Sequence, residues 1–494
     1  MKLRLHYFIL IIILSVYAFL AYSLLLVTPT INNDEAIMAD ISFNLLTENR
    51  IGTNLWSGIV DGVENHAYWL PPLFFYLNAA WFETVGFSIH NLRLVNIFLG
   101  SIFLILFFFI SSSYLAGKTI KTKVLALSAC LLIATDSIFL RSSRVGRPEM
   151  LCLLLAVAGY FFFLKNFKGS DLKINPKDLI LAALFLGLAF ITHFIALAFI
   201  LPVLLTILIS LKFRTFRSPA FYMFLAVVTT PALIYMISIF PHLNHLFEQL
   251  NLISLSRSIS ISWFTTVSAY SPLPLKILYS LYLLISFIYI FSLRNFRDTR
   301  YLLLSITLIS VWLFTTLGKI YWYTFYPLPF IFIAFISLFV EYSVQKNSLK
   351  KIIWTGTAFL LIFLNIYLFQ TQKNTNNNSP KYYNYGEQIR QLIPAGSTIY
   401  LSSFPDLYFI FKESNLKSQS QYILYEWPVL QTSKENYIKL LNKSEYVVTD
   451  GNYSYSVHSN VFKEYLEQNQ LSVSTINNIQ VIKLKDRQDR TYVD

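Results

Sequence analysis

The chain has 494 residues, of which 55% are hydrophobic and only 13% are charged. Soluble domains carry about 25% charged residues, so the composition excludes an ordinary soluble protein and indicates a membrane protein. The net charge of +13 does not indicate nucleic-acid binding, because it lies in the apolar part: residues 1–371 hold 26 basic and 14 acidic residues, whereas residues 372–494 hold 13 and 12.

Apolar runs that approach the ~20 residues of a membrane-spanning helix recur between residues 5 and 371. The first run, residues 5–27, lacks a following small-x-small cleavage site, which predicts a retained anchor. Short basic loops mark the cytoplasmic side of a membrane protein. Six basic clusters hold 18 of the 26 cations of residues 1–371. Placing all six in the cytoplasm requires an even number of crossings between neighbouring clusters.

This parity predicts eleven spans, with a cytoplasmic N-terminus and an extracytoplasmic C-terminus. The predicted spans are residues 5–27, 90–115, 124–140, 149–164, 178–191, 193–211, 219–240, 275–293, 301–317, 322–343 and 352–371. The run 70–86 begins with Leu70-Pro71-Pro72 and contains Glu83, so we predict a juxtamembrane or re-entrant helix there. A count of twelve or thirteen spans remains an alternative. It leaves the first loop, residues 28–89, on the same outer side.

We therefore expect a mainly α-helical fold with a polytopic membrane domain over residues 1–371. A polar linker, residues 372–383, follows it. Beyond the linker, the strand-like runs "STIYLSS", "QYILYEW", "EYVVTD" and "IQVIKL" alternate with helix-like segments. Residues 384–494 are thus predicted to form a small extracytoplasmic α/β domain.

The first loop holds half of the 14 acidic residues of the membrane part, including the adjacent Asp34 and Glu35. Asn32 or Asn33 can cap a helix that begins at Asp34. One face of that helix is apolar and comprises Ile37, Ile41 and Leu45. A helix N-terminus favours ionised carboxylates. The pair is either an acidic first turn that stabilises an interfacial helix or a pair of catalytic carboxylates.

Several cations break the orientation rule and lie on the same predicted side as Asp34. Arg144 and Arg147 lie in "FLRSSRVGRPEM", and Lys319 lies in "TTLGKIYWYTFYP". Cations at the membrane edge need anionic partners, here either lipid headgroups or a phosphate held by converging Arg and Lys. His193, at a predicted turn between two short spans, is either a satisfied buried histidine or a phosphate donor. Arg50 is assigned to loop solvation.

The segments "HAYWLPPLFFYLNAAWF" and "KIYWYTFY" are dense in aromatic residues. Such residues suit sugar stacking, and they also form the ordinary aromatic belt at membrane interfaces. The candidate substrate contacts are His66, Tyr68, Trp69, Tyr321 and Tyr323. Neither a P-loop nor a G-x-G-x-x-G motif occurs, so a mechanism driven by a nucleotide is unsupported.

Four motifs follow one another in a characteristic order: the acidic pair after the first span, "LPPLFFYLNAAWFETVGFSIHNLRLVN", "RVGRPEM" and "GKIYWYTFYPLPF". Over about residues 5–345, this order resembles the GT-C membrane glycosyltransferases of the protein-mannosyltransferase group, which includes the bacterial transferase that adds aminoarabinose to lipid A. The resemblance implies transfer of a hexose or pentose from a polyprenyl-phosphate donor to a lipid, glycan or protein acceptor. The expected location is the extracytoplasmic face of the bacterial inner membrane, among membrane lipids and without nucleic acid.

Carried over by motif, the resemblance makes Asp34 the catalytic carboxylate and Glu35 its support. It makes Lys319 a ligand of the donor phosphate, with Arg147 at the outer end of the fourth span. Two positions depart from the family pattern. Leu70 stands where a lysine often precedes the first proline, and His66 is the nearest substitute. Glu149 stands where Asp is frequent.

One carboxylate suffices for this chemistry, because a lipid phosphate leaves as a stabilised anion and only the acceptor hydroxyl needs a base. A divalent cation that bridges Asp34 and phosphate stays open. No dedicated multi-ligand metal site is visible in the sequence. A transporter or flippase, which would show repeats and charges near mid-bilayer, is one alternative. A surface-glycan polymerase or ligase, with its large loop between late spans, is the other.

Overall fold

The structure is a computed structural model that describes most of the chain. The described residues are 2–57, 60–115, 119–168, 171–256, 273–292, 298–317, 321–344, 348–376, 382–394, 396–402, 405–414, 423–426, 434–449 and 459–486. The chain divides into two compact units. The membrane unit comprises Met1–Thr28, Arg93–Ile237 and Ser260–Asn377, and the second unit comprises Pro29–Leu92, Ser238–Ile259 and Asn378–Asp494. The first loop and the C-terminal segment therefore belong to one unit, and the domain boundaries drawn from the sequence stay predictions.

Apolar helices account for all eleven predicted spans. They are Lys2–Ser23, Ile89–Tyr114, Ile120–Ala134, Ser137–Ser142, Glu149–Leu164, Pro176–Phe190, Leu197–Leu211, Pro219–Ile239, Leu273–Ile290, Thr299–Leu317, Leu328–Val344 and Ser348–Asn376. Each predicted span overlaps one or two of these helices. Within the described residues, seven helices are long and apolar enough to cross a membrane. The protein is an integral membrane protein.

Two breaks in these helices have local causes. In the run 178–211, the first helix ends at Phe190 and His193 caps a short 3-10 turn ahead of the next helix, as predicted. The predicted span 124–140 is interrupted at Asp136. Its Oδ1 accepts hydrogen bonds from the backbone N–H groups of Ile138 and Phe139, both at 2.9 Å, and so starts a new helix. The sequence expectation of one continuous helix there was wrong.

The second unit contains two helices from the first loop, Asn33–Glu48 and Leu73–Val85. The latter lies within the run 70–86, for which we predicted a separate helix. The predicted apolar face of the former is confirmed, because Ile37, Ile41 and Leu45 are all buried. A further helix of this unit, Leu243–Ser256, comes from the segment after the seventh predicted span.

The C-terminal segment folds into a mixed α/β layer. Its helices are Tyr382–Gln391, Pro405–Ser414, Lys434–Lys443 and Ser459–Asn469. A two-stranded ribbon in the membrane unit, β1 (Phe167–Lys168) and β2 (Asp171–Leu172), precedes the five strands of this layer along the chain. Those five are β3 (Ile399–Ser402), β4 (Ile423–Glu426), β5 (Tyr446–Thr449), β6 (Gln470–Ile476) and β7 (Ile479–Leu484).

The five strands form one sheet in the order β4-β3-β5-β7-β6. Strand β3 pairs in parallel with β4 and β5, whereas β7 pairs antiparallel with β5 and β6. The apolar core of this α/β layer includes Tyr400, Leu441, Val447, Phe462 and Ile482. The four strand-like runs of the sequence are thus all found as strands, and a fifth strand, β6, was missed.

Candidate active site

The acidic pair of the first loop lies in the first turn of the helix Asn33–Glu48. Asn32 is the N-cap: its Oδ1 accepts a hydrogen bond from the Glu35 N–H at 3.0 Å. The Glu35 carboxylate accepts one in return from the Asn32 N–H at 3.2 Å. This capping box satisfies two backbone donors at the helix start. Glu35 is fully buried, whereas Asp34 is only partly buried. The pair therefore divides into one inward and one more accessible carboxylate.

A third carboxylate of the same helix, Asp40, is the centre of a buried polar network. Its Oδ2 accepts hydrogen bonds from the Thr53 hydroxyl at 2.7 Å and the Asn54 N–H at 2.9 Å. Its Oδ1 accepts one from the Tyr408 hydroxyl at 3.0 Å and lies 3.3 Å from the Lys412 Nζ. Asp40 is 1% exposed. It joins the first loop to the C-terminal helix Pro405–Ser414.

Arg50 has a structural place in the first loop rather than the solvated one assigned from the sequence. Its Nε lies 2.5 Å from a Glu48 carboxylate oxygen. Its guanidinium also donates to the Glu64 carbonyl and, at 3.0 Å, to the Asn54 side-chain oxygen. These contacts close the chain between residues 48 and 64. Arg50 is therefore a poor control residue for tests of the active site.

In the membrane unit, the loop 143–149 is held by the helix that begins at Ile89. The side-chain amide of the buried Asn96 donates to the carbonyls of Val145 and, at 3.2 Å, of Arg147. One turn earlier, the buried Arg93 donates to the Leu25 carbonyl at 2.6 Å. The Asn96 bonds fix the loop backbone at Val145 and Arg147, and the Arg93 bond holds the end of the first span.

Arg147 forms an ion pair with Glu149, with Nη2 2.6 Å from Oε1. The two side chains are only 11% and 8% exposed. Glu149 is the first residue of the helix Glu149–Leu164, where the helix dipole favours a carboxylate. The pair places a cation and an anion together at the edge of a predicted span.

Arg144 is completely enclosed, and none of its guanidinium nitrogens makes a hydrogen bond within the described parts of the chain. Burial first, and the neighbouring Arg93 second, lower the pKa of Arg144 to about 9, so the group still carries its charge at neutral pH. Buried charges ordinarily have a hydrogen-bonded partner. Arg144 thus offers a set of unused donors next to Arg93.

His193 and Tyr323 lie together, with their rings edge to face at 5.8 Å between centroids. The Nδ1 of His193 accepts a hydrogen bond from the Ile195 N–H at 3.2 Å. A neutral His193 therefore carries its proton on Nε2, which lies 3.5 Å from the Tyr323 hydroxyl. The Tyr326 ring lies 6.3 Å from His193 and 5.8 Å from Tyr323.

Tyr326 connects this pair with the ion pair of the loop 143–149. Its hydroxyl is within electrostatic range of both Glu149 and Arg147. The membrane unit therefore gathers Arg147, Glu149, His193 and Tyr323 around one buried tyrosine. Sequence reasoning missed Tyr326, although it is the last residue of the aromatic segment "KIYWYTFY" that we singled out.

The candidate substrate contacts of the first loop are packed into its fold. His66 stacks on Tyr68 at 4.4 Å between centroids, and Trp69 stacks on Trp56 at 5.5 Å. Tyr68 is buried, whereas His66 and Trp69 are partly exposed. His66 and Trp69 thus offer more surface to a ligand than Tyr68 does.

Two predicted residues are beyond what the structure describes. Lys319 lies outside the described residues, and so does the side chain of Tyr321. Asp34 and Glu35 belong to the second unit, whereas Arg144, Arg147, His193 and Tyr323 belong to the membrane unit.

Comparison with known proteins agrees with the resemblance predicted from the motifs. Residues 70–240 match the family model of dolichyl-phosphate-mannose-protein mannosyltransferases. This range begins at the Pro-Pro segment and includes the "RVGRPEM" motif. A search of curated proteins found no match.

Solved structures match over nearly the whole chain. ArnT from Cupriavidus metallidurans, bound to undecaprenyl phosphate, superposes with a TM-score of 0.62 at 11% identity, covering 96% of this chain and 97% of that one. The oligosaccharyltransferase of Archaeoglobus fulgidus, tethered to an acceptor peptide with the NVT sequon, gives 0.57 at 12% identity, covering 98% and 74%. AglB of the same organism, with an inhibitory peptide and dolichol-phosphate, gives 0.54 at 12%, again covering 98% and 74%.

The chain is thus an integral membrane protein with the GT-C fold that the sequence predicted. The similarity to GT-C membrane glycosyltransferases is confirmed by the family model and by the shared fold. The roles of individual residues are a separate matter and stay predictions.

Proposed function

We propose that the protein is a membrane glycosyltransferase that moves a sugar from a polyprenyl-phosphate donor to an acceptor. The observation that carries this proposal is the GT-C fold over 96% of the chain, shared with a structure that holds undecaprenyl phosphate. The match of residues 70–240 to mannosyltransferases supports the same class. A hexose or a pentose is transferred, and the acceptor is a lipid, a glycan or a protein.

Asp34 is the proposed base. The capping box between Asn32 and Glu35 fixes the first helical turn, which carries Asp34. Glu35 acts in this proposal as a positioning residue, because its carboxylate holds the Asn32 backbone. Asp34 takes the proton of the acceptor hydroxyl as the acceptor oxygen bonds to the sugar carbon and the bond to the lipid phosphate breaks. A positioned base of this kind contributes about 10²–10⁴-fold to the rate.

In the proposed donor site, cationic side chains bind the lipid phosphate that leaves the sugar. Lys319 and Arg147 are its main ligands, with Arg144 and His193 in support. Arg147 and His193 gather around Tyr326 in the membrane unit, and Arg144 has unused donors. Preorganised cations stabilise the negative charge that develops as the sugar leaves. The joint action of these residues with Asp34 is part of the proposal and rests on the motif order.

The proposed location is the bacterial inner membrane, with the N-terminus in the cytoplasm and Asp34, Lys319 and the C-terminal domain outside it. The basic-cluster parity supports this orientation. Cysteine accessibility scanning, after replacement of Cys130 and Cys152, tests it. Labelling at residue 34 by an impermeant reagent on intact cells is expected. Labelling only after the inner face is exposed contradicts the orientation.

The function itself is tested with purified protein and a radiolabelled polyprenyl-phosphate sugar in detergent, where no ion gradient exists. A transferase moves the label to an acceptor fraction under these conditions. A transporter or flippase does not form a new glycosidic bond. Failure to transfer label from any polyprenyl-phosphate sugar, by protein whose fold is intact, contradicts the proposal.

A further inference from the structure

A cluster of metal-ligating side chains lies in the second unit, apart from the residues of the proposed reaction. The Nδ1 of His245 lies 3.0 Å from the Asp61 Oδ2 and 3.9 Å from the Glu248 Oε2. One ligand atom from each of the three residues lies within 4.8 Å of the others. Two ligands of a tetrahedral zinc ion are about 3.3–3.6 Å apart, given bond lengths near 2.0–2.2 Å. The observed separations bracket this range.

The central nitrogen of the cluster lacks another partner. The Nδ1 of His245 is buried and makes no hydrogen bond to any part of the chain that the structure describes. Its 3.0 Å approach to Asp61 therefore lacks the geometry of a hydrogen bond, and it is an ion pair only if the imidazole is protonated. Two ligand atoms that face a shared cation make such an approach without a bond between them.

A glycine leaves room at this nitrogen. Gly62 has a φ of +66°, a conformation that favours glycine. A Cβ at this position would lie 3.4 Å from the His245 Nδ1. Gly62 and His245 also line a pocket of about 380 Å³, together with His66, Tyr68 and His242. The glycine thus keeps a side chain away from this nitrogen, and the His245 ring borders a pocket.

The two segments that carry the ligands are held together independently of any ion. Gln249 is fully buried, and its side-chain nitrogen donates to the carbonyls of Asp61 and His66, both at 3.1 Å. Its side-chain oxygen accepts the Tyr68 N–H at 2.8 Å. These bonds fix the segment 61–68 on the helix Leu243–Ser256. The ligands are therefore placed before a metal arrives, which lowers the entropic cost of binding.

We propose that Asp61, His245 and Glu248 bind a zinc ion that fastens the first loop to the helix Leu243–Ser256. One imidazole and two carboxylates form the mixed nitrogen and oxygen set that zinc accepts, with water as a fourth ligand. The donor set excludes a preference for Mg²⁺, which favours oxygen ligands in octahedral geometry. This site is distinct from a cation at Asp34.

The test uses full-length protein purified with a tag that contains no histidine and stripped of metal with EDTA. After equilibration with zinc chloride, elemental mass spectrometry gives the zinc content. Competition with a chromophoric chelator gives the affinity. About one zinc per chain is expected for the unaltered protein. The variants Asp61→Asn and His245→Gln are expected to lose affinity by at least 10–100-fold.

Two control variants remove a carboxylate elsewhere in the first loop and an imidazole in the first turn of the helix Ile89–Tyr114. Glu83→Gln and His90→Gln are expected to bind zinc as the unaltered protein does. The ligand side chains of Asp61, His245 and Glu248 are 70%, 40% and 60% exposed, so their replacement leaves the fold intact. Zinc should also raise the melting temperature of the unaltered protein and of the controls, but not of the ligand variants. Equal zinc binding by all variants, or no bound zinc in the unaltered protein, overturns the proposal.

Discussion

The first loop and the loop 143–149 both concentrate charge, but they satisfy it differently. In the first loop, Asp40 and Arg50 bond to groups of their own unit, and the Glu35 carboxylate accepts a hydrogen bond from the Asn32 N–H. In the loop 143–149, Arg147 has a partner in Glu149, whereas Arg144 is enclosed without a hydrogen bond to any described residue. A charge with a full set of partners holds the fold. A charged group with unused hydrogen-bond donors is stabilised when an anionic ligand binds to it.

This difference assigns the two kinds of charge to different tasks. Buried polar groups that are fully hydrogen-bonded make a structure specific, whereas an unsatisfied one calls for a functional explanation. We therefore expect substitutions in the Asp40 network to affect stability first. Substitutions of the arginines should affect the use of the donor first.

The largest effect on stability is expected for Asp40→Asn. Removal of this charge leaves Lys412 without its ion pair and weakens the bonds from Thr53 and Tyr408. Breaking a buried pair costs about 3–5 kcal/mol in the free energy of unfolding. The matched control is Asp34→Asn on the same helix, which should cost about 0.3–1 kcal/mol. Thermal melting of both variants in detergent measures the difference. Equal melting temperatures contradict the structural role of Asp40.

The next largest effect concerns donor binding. Removing a charge that pairs with a buried phosphate costs about 2–5 kcal/mol. Arg147→Ala and Lys319→Ala should each weaken binding of a polyprenyl phosphate by this amount, as measured with a fluorescent analogue. Arg147→Lys should recover part of it.

The control for this comparison is Lys463→Ala, because the Lys463 side chain is 61% exposed. It should leave donor binding unchanged. If Arg147→Ala, Lys319→Ala and Lys463→Ala all have mild and equal effects, the alternative is favoured in which Arg147 and Lys319 contact lipid headgroups.

The variant Arg144→Met is expected to have a smaller effect, which raises stability and lowers donor use. Replacing buried charge by an apolar side chain of similar size stabilises a protein by up to about 1–4 kcal/mol. The melting temperature of the ligand-free variant should therefore rise. Hydrogen bonds to charged groups contribute about 1.5–3 kcal/mol, so donor use should fall by about 10–100-fold. A stabilised variant with unchanged sugar transfer contradicts a phosphate role for Arg144.

The smallest effect separates the two functions of the acidic pair. Glutamine replaces glutamate in a capping box, so Glu35→Gln should melt close to the unaltered protein. Glu35→Ala removes the bond to the Asn32 N–H and should cost about 1 kcal/mol. Transfer activity should follow the same order. A severe loss of activity in Glu35→Gln, at an unchanged melting temperature, would give the Glu35 charge itself a catalytic role.

Local patterns predicted most of the fold. Each of the eleven apolar runs contains helix, because hydropathy and length depend on neighbouring residues alone. The Asn32 cap was also readable, since its partner Glu35 is three residues away. The strand β6 was missed. Its sequence "QLSVSTI" is half polar and nearly all exposed, so the apolar signal was weak, and antiparallel pairing with β7 determines its structure.

The parts that the sequence did not predict depend on distant contacts. Asp40 looked like one of seven loop acids, because its partner Tyr408 is 368 residues away. The cluster of Asp61 and His245 was also missed, because residues so far apart in the chain form no recognisable sequence motif. Arg50 appeared solvated until the structure brought the Glu64 carbonyl to it. Parity arguments place such residues on a side of the membrane, but they do not provide their partners.

The proposed role of Asp34 is tested most directly by sugar transfer with Asp34→Asn. The substitution keeps the size and hydrogen-bonding capacity of the side chain but removes its basicity. At matched membrane abundance and with donor binding assayed separately, turnover should fall by about 10²–10⁴-fold while donor binding is retained. Loss of donor binding as well would favour a divalent cation that bridges Asp34 and the phosphate. Transfer at a near-normal rate would reduce the acidic pair to a helix cap and contradict the mechanism.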